Sequence, residues 1–374
     1  SRMSTPSSSS ATEAEPQELE RTLGLLPALA IGTGTMVGAG IFVFPGLAAG
    51  KAGPAAMISF AIGAVIALLV ALPTSELATA MPESGGGYFF VSRALGTLLG
   101  CMVGVGQWLG LIFASAFYLI GFGHYLSDLA RELGVNLPLP VVGLAFGMGI
   151  LLTGVSVTGT ENTGDLQNWI VGSLLAILAG FLGHGGLDAL GVFGRQQTPE
   201  AFFPYGTMPV LTTAALVFTS YLGFVQIATV AGEIKAPSRN LPRSMIGSVL
   251  LVGTLYVLTI FISTSLLGSE SLAEMGETAA VNVGRSIAGT FGAAAPLGGG
   301  LLATLSSANA SILSASRSIY ALSRDELVPS QVERINRRYR TPHVALRLAG
   351  GVLVALILFA RAELLPNLPS PLHP

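Results

Sequence analysis

Long apolar segments alternate with short polar connections along most of the chain. A helix needs about 20 apolar residues to cross a bilayer, and about nine segments reach that length. These segments cover residues 25–47, 54–80, 97–122, 139–157, 167–183, 209–231, 245–267, 294–322 and 344–360. The pattern predicts an all-α protein that crosses a membrane several times.

The first segment contains a glycine-rich interruption within its apolar length. Residues 32–42 read GTGTMVGAGIF, with Gly38, Ala39 and Gly40 near the centre. A helix broken at membrane depth leaves N–H and C=O groups without partners, which is tolerated where the backbone lines a cavity or meets a ligand. The sixth segment holds a second interruption, FTSYLGF over residues 218–224. We therefore predict that helices 1 and 6 are broken and that a binding site lies between them.

The spacing of the two interruptions predicts an inverted repeat. They lie five segments apart, and an odd offset means that the second copy enters the membrane from the opposite side. We assign residues 22–183 to a first five-helix repeat and residues 209–360 to a second, incomplete repeat. Residues 361–374 form a short tail, so we expect a bundle truncated after about nine spans.

Composition agrees with a membrane protein. Charged residues make up 10% of the chain, against about 25% in soluble proteins. Residues 1–21 are rich in Ser, Thr, Pro and Glu, which predicts a disordered cytoplasmic tail. The formal net charge of -2 gives no sign of nucleic-acid binding. The single cysteine, Cys101, excludes an intrachain disulfide and a cysteine zinc cluster.

The basic residues predict the orientation. Most lysines and arginines lie on the side that carries the amino terminus, with the highest density between Arg324 and Arg347. The positive-inside rule assigns that side to the cytoplasm. We predict a multi-pass protein of the plasma (cell) membrane, embedded in the lipid bilayer, with a cytoplasmic amino terminus.

Four motifs lie in a characteristic order between residues 22 and 345. They are GAGIF at 38–42, EL at 76–77 followed by PESGGGY at 82–88, the stretch 224–233 followed by KAPSRNLP at 235–242, and Asn309 with residues 317–325. This arrangement resembles amino acid permeases of the amino acid, polyamine and organocation (APC) superfamily. The resemblance implies a leucine-transporter-like bundle of ten core helices with two further helices, and secondary active amino acid transport by alternating access.

The chemistry of an amino acid zwitterion predicts its partners. The zwitterion must exchange its hydration for fixed polar groups when it enters the membrane. Freed N–H groups at the start of a half helix suit the carboxylate, and freed carbonyls suit the ammonium. The candidate substrate-binding residues are Thr35, Met36, Gly38, Ala39, Gly40, Ile41, Phe218, Thr219, Ser220, Tyr221 and Gly223, with Gln107 and Trp108 added by analogy with the fold.

Neutral or broad-range substrates are favoured because no Asp or Glu lies near the middle of a predicted span. A cationic amino acid permease or exchanger is an alternative, since carbonyls and aromatic faces also hold a guanidinium. A non-transporting amino acid sensor or an inactive fragment is the alternative of another class. An enzyme is not predicted and no cofactor is expected, because the histidines show no metal-ligand spacing.

Energy coupling has two open interpretations. Proton-coupled relatives in the superfamily carry a lysine in the fifth span, and the resemblance aligns Leu174 with that position, which argues against a lysine-based proton switch. Ser307, Ser311 and Ser314 share one helix face, where hydroxyls near Ser307 and Ser311 could complete an oxygen shell for sodium. Close helix packing explains the same serines, so exchange or uniport ranks ahead of sodium coupling.

Charges near the cytoplasmic span ends are candidates for a gate. Glu76 and Glu233 lie near Arg93 and Lys235 in the predicted topology. Ion pairs at these depths can break and re-form as the bundle rocks, although solvated helix-end charges are the alternative. We also expect Asn309, as a buried amide, to connect the eighth segment to the first.

Overall fold

The computed structural model describes residues 19–38, 40–192, 201–276, 279–336 and 338–364. These residues form α-helices joined by short 3₁₀ turns and loops. In this part of the chain, 7 helical segments are long and apolar enough to cross a membrane. The chain is an all-helical polytopic membrane protein.

Two of the predicted spans are each divided between two helices. The first half contains α1 (Leu25–Val37), α2 (Gly40–Ala52), α3 (Ala56–Ala80), α4 (Gly87–Leu95), α5 (Thr97–Glu132), α6 (Val141–Thr158) and α7 (Thr160–Ala189). The second half contains α8 (Met208–Phe218), α9 (Val225–Thr229), α10 (Pro237–Leu267), α11 (Ser269–Met275), α12 (Ala279–Arg324) and α13 (His343–Leu364). The predicted first span is shared by α1 and α2, and the predicted sixth span is shared by α8 and α9.

Helix α12 forms the centre of the bundle. It packs against α5, α7, α1 and α13, and every residue from Ser306 to Ser323 is buried. This stretch is rich in Ala and Ser, whose small side chains let neighbouring helices approach closely. The amino-terminal part of α12 bends where Ala288 and Gly289 leave helical geometry.

Main-chain hydrogen bonds join the segment just before α1 to the segment just after α9. The Leu23 N–H donates to the Glu233 carbonyl at 2.9 Å, and the Lys235 N–H donates to the Leu23 carbonyl at 2.8 Å. The Arg21 guanidinium adds a hydrogen bond to the Ile234 carbonyl at 3.0 Å. These two segments therefore form one local unit, although more than 200 residues separate them along the chain.

Helix α4, which the hydrophobic pattern does not predict, packs against α5 and contacts α12. Tyr88 is buried, and its hydroxyl donates to the Asp325 carboxylate at 2.5 Å just beyond the end of α12. Burial, followed by this hydrogen bond, raises the pKa of Tyr88 above its usual value. Tyr88 therefore acts as a neutral donor that fastens α4 to α12.

Candidate substrate site

The first interruption lies between α1 and α2. Helix α1 ends at Val37, and Gly38 follows with a φ of 40° and a ψ of -157°. An L side chain rarely adopts this conformation, whereas glycine adopts it at little cost. Helix α2 then begins at Gly40. The predicted site residue Ala39 lies outside the described residues.

The second interruption lies beside the first. Helix α8 gives way to a 3₁₀ turn over Thr219–Phe224 before α9 begins at Val225. A Cβ atom at Gly223 would lie 2.7 Å from the Met36 nitrogen. The absence of a side chain at Gly223 therefore lets the two interruptions approach each other.

A cavity of about 380 Å³ opens at these interruptions. Its polar groups are hydroxyls, one side-chain amide and the backbone, and none of its lining residues is charged at neutral pH. Apolar surface comes from aromatic and aliphatic side chains. The lining residues are Thr35, Met36, Gly38, Gly40, Phe44, Phe117, Tyr118, Thr219, Ser220, Leu222, Gly223, Gln226 and Tyr256.

Tyr256 of α10 fixes the end of α1 at the cavity. Its hydroxyl donates to the Met36 carbonyl at 3.1 Å, a group that the end of the helix leaves without an intrahelical partner. Its ring stacks on Phe60 with a centroid distance of 4.9 Å. A Cβ atom at Gly40 would lie 2.7 Å from the Tyr256 hydroxyl, so glycine is required for this contact.

Most of the predicted residues at the two interruptions lie at the cavity, but three do not line it. Ile41 is fully buried in the apolar core, and Phe218 packs against the same core. The Tyr221 side chain is also buried, and its hydroxyl donates to the Phe60 carbonyl at 3.0 Å. These side chains support the backbone of the site from behind.

The third span lines the cavity, but with residues further along its helix than the two that were predicted. The Gln107 amide donates to Ser318 at 2.7 Å, and Trp108 packs among apolar residues, both away from the cavity. Phe117 and Tyr118 take their place, about three turns further along α5. The reason is that α5 continues to residue 132, so its midpoint lies beyond that of the predicted span.

Four further lining residues have no counterpart among the predicted site residues, and one of them, Leu222, lies within the predicted second interruption. Phe44 and Tyr256 lie in apolar runs and resemble ordinary core positions. Gln226 offers a signal, because it is a polar residue between Val225 and Ile227 at the start of a buried helix. An amide in such a setting needs polar partners.

A network of neutral side chains connects α1, α7 and α12 next to the cavity. The Gln167 amide donates to the Ala30 carbonyl at 3.2 Å and to Ser306 at 2.7 Å. Asn309 donates to the Gln167 oxygen at 2.8 Å. Asn309 thus connects the eighth predicted segment to the first helix through Gln167. Leu174 on α7 is buried in the apolar core.

The serine face of α12 is turned toward α1 and α9. The Ser307 hydroxyl donates to the Gly34 carbonyl at 3.1 Å. Ser311 accepts a hydrogen bond from the Gln226 amide at 3.3 Å, and Ser314 donates to the amide oxygen at 3.3 Å. These hydroxyls serve interhelical hydrogen bonds.

The gate candidates separate into buried and exposed groups. Glu233 pairs with Arg317, a residue inside α12, and both side chains are buried. Arg93 pairs with Asp325 at 3.2 Å near the surface. Glu76 is exposed, and no ion pair joins it to another described residue. Glu233 therefore pairs with Arg317, which is distant in sequence, and not with its predicted neighbour Lys235.

Comparison with known proteins identifies the family. The amino acid permease family model matches residues 23–365. This chain belongs to the amino acid permease family. The resemblance inferred from the four motifs is thereby confirmed, and the family is one of transporters and not of enzymes.

Individual relatives are distant. The branched-chain amino acid permease BcaP of Bacillus subtilis (strain 168) is 28% identical over 342 residues, which cover 88% of this chain and 72% of that protein. The serine/threonine exchanger SteT of the same organism is 24% identical over 369 residues, which cover 95% of this chain and 80% of that protein. At these identities the family is clear, but the substrate differs between relatives.

A solved structure shares the fold. The structure of Mhp1, a nucleobase-cation-symport-1 family transporter in a closed conformation with bromovinylhydantoin bound, matches with a TM-score of 0.57 at 15% identity. The match covers 92% of this chain and 75% of that chain. The likeness supports a leucine-transporter-like fold.

Proposed function

We propose that this protein is a secondary active transporter that moves neutral amino acids across the cell membrane by alternating access. The observation that carries the proposal is an uncharged cavity between two helix interruptions. Membership of a transporter family supports the transport activity. The distribution of basic residues favours a cytoplasmic amino terminus.

The backbone would bind the part that all amino acids share. The start of α2 offers N–H groups and the positive end of a helix dipole to the substrate carboxylate. Gly38 and Gly40 line the cavity there and leave room for the carboxylate. Backbone carbonyls near Thr219 and Ser220 would accept from the ammonium group. This arrangement recognises the amino acid framework and leaves the side chain to the remaining walls.

The uncharged lining of the cavity favours neutral substrates. A cationic or anionic side chain that leaves water needs an opposite charge or it pays a large desolvation cost. The described lining residues provide none. This favours neutral amino acids over the cationic alternative.

Alternating access would use the two halves of the chain as an inverted repeat. We assign residues 22–183 and 209–360 to the two copies, because the first helix of each half is interrupted at the cavity. Rocking of one set of helices against the other would expose the cavity to each side in turn.

The buried pair of Arg317 and Glu233 is the proposed inner gate. Arg317 lies one turn beyond Ser314 on α12, and Glu233 lies just after α9, whose Gln226 lines the cavity. Arg317 also donates to Thr160 at the start of α7 at 2.8 Å. The pair thus joins three elements on the proposed cytoplasmic side of the cavity. The exposed pair of Arg93 with Asp325 would form an outer layer of this gate.

We propose exchange of one amino acid for another, a secondary active mechanism, in preference to sodium coupling. The Ala30 and Gly34 carbonyls receive hydrogen bonds from Gln167 and Ser307. Ser311 is likewise bonded to Gln226. Neutral donors thus occupy oxygens that a sodium ion between α1 and α12 would need.

Reconstitution in liposomes tests the proposal. Radiolabelled threonine, valine, glutamine and arginine would be offered with sodium or choline outside, and with or without internal amino acid. We expect saturable uptake of neutral amino acids that is unchanged in choline. Binding measured by thermal shift without any uptake would instead indicate a sensor, and the absence of both would overturn the proposal.

A further inference from the structure

We propose that Gln226 determines substrate specificity and selects neutral amino acids whose side chains form hydrogen bonds, such as serine, threonine, asparagine and glutamine. The inference rests on the proposed function and narrows its substrate class. It starts from a side-chain amide that lines an otherwise hydroxyl-bearing and apolar cavity.

The amide contacts α12 further along that helix than the glycine break does. A Cβ atom at Gly38 would lie 3.3 Å from Ser307 of α12. Gln226 contacts Ser311 and Ser314 on the same helix. These serines lie about 6 Å and about 10 Å further along the helix axis than Ser307. A substrate whose carboxylate lies near Gly38 can therefore extend its side chain along α12 to reach Gln226.

The hydrogen-bonding capacity of the amide is not exhausted by the protein. A carboxamide has two N–H donors and two acceptor lone pairs. Its partners among the described residues are Ser311 and Ser314, both at 3.3 Å, and Thr35 at 3.5 Å. At least one bonding position is left in either orientation of the amide, since the Thr35 hydroxyl already donates to the Ile31 carbonyl at 2.6 Å, and Gln226 lines the cavity.

A substrate hydroxyl or amide can fill that position whether it is a donor or an acceptor, because both groups act in both ways. An aliphatic side chain would cover the position and leave it without a partner. A site that is built to bond a polar substrate group rejects the analogue that lacks it far more strongly than an apolar pocket rejects an extra hydroxyl. Threonine should therefore bind better than valine, although the two have nearly the same shape.

Competition between threonine and valine tests this inference. Dissociation constants for both would be measured on the purified wild type, Gln226→Leu and Gln107→Leu. Gln107 is a matched control because its amide bonds to Ser318 and lies outside the cavity. We expect the wild type to prefer threonine by about tenfold or more. In Gln226→Leu this ratio should fall to near one while valine still binds, and Gln107→Leu should keep the wild-type ratio.

Other outcomes would overturn the inference. If Gln226→Leu weakens threonine and valine equally, the amide only connects α9 to α12. If the wild type binds the two amino acids equally well, Gln226 does not select polar side chains. Failure of the proposed function has a different signature, because the wild type would then bind and transport no amino acid.

Discussion

Arg317 and Glu233 share two hydrogen bonds, 2.6 Å from Nε to one carboxylate oxygen and 2.9 Å from Nη2 to the other. The side chains are 0% and 1% exposed. Removing one partner of a buried pair leaves an uncompensated charge and costs about 3–5 kcal/mol. We expect Glu233→Gln to lose stability on this scale and to impair uptake, as measured by thermal unfolding in detergent and by liposome uptake.

The exposed pair of Arg93 and Asp325 provides the control. Arg93 is 52% exposed, and such pairs contribute about 0–1 kcal/mol. Arg93→Gln should therefore unfold near the wild-type temperature. Equal effects of the two substitutions would contradict the role given to the buried pair.

Gly38→Leu should abolish amino acid binding. The side chain would enter the space assigned to the carboxylate, and a φ of 40° is strained for any L residue. Gly96→Leu is the matched control, since Gly96 also has a positive φ but has no neighbouring atom within 4 Å of a Cβ. Binding by thermal shift should be lost only in Gly38→Leu, and normal uptake by that variant would refute the site.

Tyr256→Phe should weaken substrate binding while keeping the aromatic packing. The variant retains the stacking on Phe60 but loses the hydroxyl that bonds the Met36 carbonyl. A lost hydrogen bond of this kind costs the folded protein about 0.5–1.5 kcal/mol, and only the part felt in the bound state alone lowers affinity, so about tenfold is the upper limit of the expected loss. Isothermal titration with a neutral amino acid would measure this change. Tyr205→Phe, at an exposed position, should leave affinity unchanged.

Asn309→Ala should destabilise the junction of α1, α7 and α12. The substitution removes the donor to the buried Gln167 oxygen, and an unsatisfied buried acceptor costs about 1–3 kcal/mol. Asn162→Ala removes an exposed amide at the start of α7 and should have little effect. Thermal unfolding of both variants checks this difference, and equal melting temperatures would exclude a structural role for the network.

The two interruptions could be predicted because their signal is local. Glycines at 38 and 40, and the FTSYLGF stretch, disturb apolar runs that otherwise read as continuous helix. Seven of the nine predicted spans follow from hydropathy in the same way, and the other two fall on the shorter helices Leu25–Val37 and His343–Phe359. It is harder to predict which residues of a long, uniformly apolar helix lie at the cavity, and the shift from Gln107 to Phe117 shows why. Hydropathy does not define where α5 ends, and the end determines which residues lie at the depth of the cavity.

The partner of Glu233 could not be predicted from sequence. Arg317 lies 84 residues away, near the end of a span, where a basic residue is typical of a cytoplasmic boundary. Only the packing of α12 against α7 and the chain after α9 buries it. Gln226 was overlooked because it lies just after the predicted interruption, and its contacts with Ser311 and Ser314 on α12 appear only in the structure.

The main-chain link between Leu23 and Lys235 has a practical consequence for mutational mapping. Its donors and acceptors are peptide groups, so alanine substitution at any of these positions leaves both hydrogen bonds in place. Leu23 and Glu233 also have buried side chains, so substitutions there report lost packing or the lost ion pair with Arg317 and do not isolate the link. Lys235 is exposed, and proline there removes the donor itself, so a loss of stability with proline that alanine does not cause would be the signature of this link.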